Sequence, residues 1–121
     1  MMLPSGNDAA QSLGIHFGLL ILRAEFLNLC KASKSMQVLE KWQADVIKLS
    51  MGNYIELENN QEIINAALNA FYREMNRNAA EMKLKDTNFL SAHGMHHDQN
   101  YSSALDIALI SHQCMKNSTF R

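Results

Sequence analysis

Two places in the chain concentrate side chains that could do chemistry. The first is Ser5-Gly6-Asn7-Asp8, where a hydroxyl and a carboxamide stand two residues apart. Taken alone, these residue types dominate helix caps and turns, so the segment reads as a helix start. A Ser-x-Asn pattern by itself is too short to be specific. The second is His93-Gly94-Met95-His96-His97-Asp98, three imidazoles and a carboxylate in one stretch. Both groups ligate zinc well. Yet adjacent His96 and His97 rarely bind one ion together, and no His-Glu-x-x-His helix accompanies them. No metal and no organic cofactor is expected. Cys30 and Cys114 lack metal-motif spacing and read as two buried thiols; whether they pair is left open.

Four helices must position these groups. The first starts near Asn7 or Asp8, either of which can act as the cap. It carries two apolar stripes: Leu13, Phe17, Leu20, Ala24 and Leu27, then Ile15, Leu19, Leu22, Phe26 and Leu29. A helix apolar on two sides is expected to be deeply buried. The second runs from about Ser35 to Leu49, with Leu39, Trp42, Val46 and Leu49 on one face. Ser50 to Asn60 reads as a loop. The third starts near Asn59, with Glu62 at capping-box spacing and an apolar face of Ile64, Ala67, Leu68, Phe71, Met75 and Met82. Lys85 to Gln99 is irregular. The fourth spans about Ser103 to Lys116, with Ser103 and Asp106 at capping-box spacing and a stripe of Ile107, Ile110 and Cys114. Residues 117–121 could begin a strand. Tyr101 reads as an aromatic anchor and Asp106 as a first-turn carboxylate favoured by the helix dipole.

The 121 residues suffice for one small domain, and 47% apolar with 19% charged residues is ordinary for a globular chain. A net charge of -1 without a basic block excludes a nucleic-acid partner as the working reading. Leu13 to Leu29 contains His16, Arg23 and Glu25, so it is read as too polar and too short to span a bilayer. Met1 to Asp8 lacks the charged and apolar regions of a signal peptide.

Several stretches fall into a familiar order. Leu3-Pro4-Ser5-Gly6-Asn7-Asp8-Ala9-Ala10 comes first and Met75-Asn76 follows. Then come Met82-Lys83-Leu84-Lys85-Asp86-Thr87-Asn88-Phe89, His93-Gly94-Met95, and Tyr101-Ser102-Ser103-Ala104-Leu105-Asp106. Together they resemble the low-molecular-mass penicillin-binding proteins, the serine-type D-Ala-D-Ala carboxypeptidases. The resemblance implies a mainly α chain, the helical part of the α/β fold shared by β-lactamases and penicillin-binding proteins, with its sheet not encoded here. It implies catalytic roles for two residues. Ser5 would pass a proton toward the leaving amine, and Asn7 would hold the substrate amide and a catalytic lysine. It also implies peptidoglycan stem peptides and β-lactams as partners, and work outside the cytoplasm.

Enzymes of this kind use Ser-x-x-Lys, Ser-x-Asn and Lys-Thr/Ser-Gly elements. Of the three, only Ser-x-Asn occurs in these 121 residues. The chain is therefore expected to be a partial catalytic domain, residues 1–121. Ser5 to Met75 is longer than the resemblance implies, so a foreign insertion is expected within residues 23–60. Two other readings are a β-lactamase or esterase relative on the same fold, and a non-catalytic helical interaction module.

Overall fold

The computed structural model describes residues 6–33, 41–52 and 60–121. Four helices lie there: α1 (Asn7–Ser33), α2 (Lys41–Ser50), α3 (Gln61–Glu81) and α4 (Ala104–Cys114). Among the described residues no strand forms, and the one isolated bridge pairs Asn88 with Tyr101 in antiparallel sense. The mainly helical expectation agrees with this. The start of α2 expected at Ser35, the start of α3 expected at Asn59, and Leu39 lie outside the described residues. Ser50, expected to open a loop, closes α2 instead; its hydroxyl donates to the Ile47 carbonyl at 2.7 Å.

The chain divides into two compact units, Met1–Phe71 and Tyr72–Arg121. In the first, the Ala10 N–H donates to the Gly6 carbonyl at 3.1 Å, so the cap position of α1 falls on Gly6. Asn7 and Asp8 lie in the first turn rather than capping it. The core of this unit joins Leu19, Leu22 and Phe26 of α1 to Val46 and Leu49 of α2, and to Ile63, Ala67 and Ala70 of α3. Trp42 packs edge-on against Phe26, with ring centroids 5.2 Å apart.

Only one of the two α1 stripes is used. Leu13, Phe17, Leu20 and Leu27 are between 36% and 47% exposed, so α1 is not deeply buried on both sides as expected. Leu29, on the buried stripe's line, is exposed as well. On α3 the buried line is Ile63, Ala67 and Ala70; of the expected face Ala67 is in the core and Ile64 packs against it, while Leu68 and Phe71 are only half-buried.

By length and composition alone Asn7–Lys31, with a mean hydropathy of 1.5, is long and apolar enough to cross a membrane, a test that the core helix of a soluble protein also passes. Its uncharged run, Ala9 to Leu22, would extend only about 21 Å at 1.5 Å per residue, against roughly 30 Å of hydrocarbon. Leu19, Leu22 and Phe26 are meanwhile spent on the protein core.

The choice of face follows from small residues. A Cβ placed on Gly18 would lie 1.9 Å from the Ala67 carbonyl oxygen, so the α1 backbone passes α3 where only glycine fits. Gly18→Ala must therefore push α1 and α3 apart. The expected loss is about 3 kcal/mol, the upper end for overpacked sites. Urea unfolding of the variant checks this, and an unchanged midpoint would show that the two backbones are not in close approach.

In the second unit α3 ends in a defined stop. The Leu84 N–H donates to the Ala79 carbonyl at 3.0 Å, and the Lys83 N–H to the Ala80 carbonyl at 2.9 Å. Leu84 and Ala79 are both buried. This is the Schellman pattern with its accompanying apolar contact, and it requires a left-handed residue between them. That residue is Lys83, at φ 59°. Lys83→Gly removes the Cβ clash of this conformation and is expected to raise stability by about 0.5–1 kcal/mol, while Lys83→Ala gives no gain. A urea titration of the two variants separates them.

Residues 117–121 form turns and not the start of a strand. The Phe120 and Arg121 N–H groups both return to the Asn117 carbonyl at 3.2 Å, and the Asn117 side chain accepts from the Thr119 N–H at 2.9 Å. An asparagine that captures the following backbone in this way competes directly with extended structure.

Candidate functional site

The polar groups that the structure brings together lie in the second unit, where residues 85–103 are tied to α3 and α4 from both sides. Asn76, on α3, faces the loop backbone. Its amide nitrogen donates to the Phe89 carbonyl at 2.8 Å, and its oxygen accepts from the Phe89 N–H at 2.7 Å. One carboxamide thus satisfies both backbone groups of one residue, as a neighbouring strand would.

Asp106 holds the other side. The residue as a whole is 3% exposed. Oδ2 accepts from the Asp86 N–H at 2.9 Å and from the Thr87 hydroxyl at 2.7 Å. Thr87 Oγ1 also lies 2.8 Å from Ser102 Oγ. The Thr87 proton is committed to the carboxylate, so Ser102 donates, and the direction runs Ser102 to Thr87 to Asp106. The Asp106 N–H in turn donates to Ser103 Oγ at 3.2 Å, with Ser103 as the cap of α4. Half of the expected capping box is therefore realised. The returning half is replaced, because the Asp106 carboxylate reaches Asp86 and Thr87. Asp106 is more than a first-turn charge: it clamps the loop to α4.

Between these clamps the loop closes on itself. Asn88 and Tyr101 exchange backbone hydrogen bonds at 2.9 and 3.0 Å. Asn88 Nδ2 donates to the Gln99 carbonyl at 2.6 Å, and Asn100 Oδ1 accepts from the Leu90 N–H at 3.1 Å. Tyr101 contributes through its backbone; its ring is 55% exposed and is not the anchor expected from the sequence. The anchoring phenol is Tyr72. Burial pushes it above its ordinary value of 10, and a backbone hydrogen bond from Ala92 pulls it partway back.

The histidines shape turns. His93 Nδ1 accepts from the Met95 N–H at 3.1 Å, and His97 Nδ1 accepts from the Gln99 N–H at 3.1 Å. Each neutral ring therefore carries its proton on Nε2. Gly94 sits at φ 69°, which explains a glycine there. His96 and Asp98 approach to 3.4 Å with both side chains over 90% exposed. Among the described residues no group of three or more His, Cys, Asp or Glu side chains is placed to hold a metal.

Of the two residues given catalytic roles, Ser5 lies outside the described residues. Asn7 is the first residue of α1 and exposed, in the first unit. Cys30 and Cys114 are in the reduced form, outside any disulfide, and half-buried rather than buried. Asn76 and Asp106 were visible in the sequence as motif members, but their bracing roles were not. The one signal was that Thr87 and Asp106 belong to the same ordered set.

The arrangement can hold a loop in one conformation with its backbone polar groups satisfied. The sequence model of a protein family described as D-alanyl-D-alanine carboxypeptidase matches residues 25–120, which is 96 of the 121. The match takes in the whole braced loop with both clamps. Ser5 and Asn7 precede it, and most of the segment read as foreign, from Glu25 onward, lies within it. No curated protein and no solved structure gives a significant match.

Proposed function

The chain belongs to the D-alanyl-D-alanine carboxypeptidase family, and we propose that it acts in serine-type cleavage of the terminal D-Ala-D-Ala bond of peptidoglycan stem peptides. The observation that carries this reading is the family match over residues 25–120, which contains the Asn76, Thr87, Phe89, His93, Tyr101 and Asp106 pattern.

In this reading the chain is the helical part of a penicillin-recognising α/β domain that works outside the cytoplasm. A serine and lysine from Ser-x-x-Lys, carried outside these 121 residues, supply the nucleophile. The serine oxygen attacks the carbonyl between the two alanines, the C–N bond breaks, and the departing D-alanine amine takes a proton through the Ser5 hydroxyl. Water then hydrolyses the acyl ester. Asn7 orients the substrate amide and the lysine. The braced loop fixes the C-terminal end of α3 and the start of α4. Penicillins would acylate the same nucleophile, and no metal or cofactor takes part.

A chimera tests this. Residues 1–121 replace the corresponding central segment of an active family member that retains its own Ser-x-x-Lys and Lys-Thr-Gly elements. The folded chimera is expected to form a covalent adduct with a fluorescent penicillin, and the isolated chain to form none. A folded chimera that stays unlabelled would overturn the catalytic reading. It would favour a non-catalytic interaction module, the reading to which the missing Ser-x-x-Lys points. A labelled chimera that releases penicilloate rapidly would instead favour a β-lactamase relative.

A further inference from the structure

No further inference is drawn: the strongest candidate, the exposed apolar face of α1 formed by Leu13, Phe17, Leu20 and Leu27, carries nothing because nothing in the structure shows what covers it.

Discussion

Asp106→Ala is expected to cost roughly 3–5 kcal/mol and to free residues 85–103 from α4. The carboxylate is buried and accepts two hydrogen bonds on one oxygen, from the Asp86 N–H and the Thr87 hydroxyl. Bonds to a charged group contribute about 1.5–3 kcal/mol each, and removing the acceptor leaves both donors unsatisfied. Asp106→Asn is the discriminating variant. Its carbonyl oxygen can take the place of Oδ2 and accept both bonds without the charge, so the expected loss falls to about 1–2 kcal/mol. Thr87→Val should lose a similar amount. Combined with Asp106→Ala it should lose less than the sum, because both changes break the same bond. Urea midpoints of the four variants, with the exchange rate of the Asp86 amide, measure this. An additive double mutant, or an Asp106→Ala midpoint within error of wild type, would mean that the clamp does not hold the loop.

That clamp shows where sequence reading stops. Ser103 as the cap of α4 was legible, because a hydroxyl that accepts from the N–H three residues on is a local pattern. The bond between Thr87 and Asp106 crosses 19 positions, and that between Asn76 and Phe89 crosses 13. No periodicity announces such pairs. Each polar residue in them looks solvent-facing until the loop returns to it. The helices were legible as elements, since apolar steps of three and four recur along α1 and α3. Their buried faces were legible in part: Leu19, Leu22 and Phe26 of one α1 stripe, Val46 and Leu49 of α2, and Ala67 of α3 are in the core. Ile63 with Ala67 and Ala70 has the same spacing as Ile64 with Leu68 and Phe71; the larger side chains draw the reading to the second line, with Ala67 the one member of the first that it also holds. Close approach decided otherwise. Gly18 lets α1 come against the Ala67 backbone, so the small-residue line of α3 became the buried one. The same contact selects Leu19, Leu22 and Phe26 on α1 over Leu13, Leu20 and Leu27. Hydrophobic periodicity counts faces, and backbone proximity chooses among them.

In the penicillin-labelled chimera, Ser5→Ala and Asn7→Ala are each expected to slow acylation by about a hundred- to ten-thousand-fold, the usual span for a positioned acid–base group. Ser5 would lose the hydroxyl that carries a proton to the leaving nitrogen, and Asn7 the carboxamide that orients the reacting amide. The competing account makes the segment a helix cap. It predicts about 1 kcal/mol of lost stability and little change in rate. The structure sharpens the contrast at Asn7. The first helical hydrogen bond of α1 returns to the Gly6 carbonyl, so the cap position belongs to Gly6, and Asn7 lies exposed one residue inside the helix. Loss of its side chain should therefore leave the stability within about 0.5 kcal/mol of the parent, as for other exposed positions, and the thermal midpoint nearly unshifted. Rate and midpoint are read on the same preparations. A slowed acylation with an unshifted midpoint supports the catalytic assignment at each position. A lowered midpoint with an unchanged rate at Ser5 would reduce Ser5-Gly6-Asn7 to a helix start, and the proton would then have to reach the leaving amine by another group.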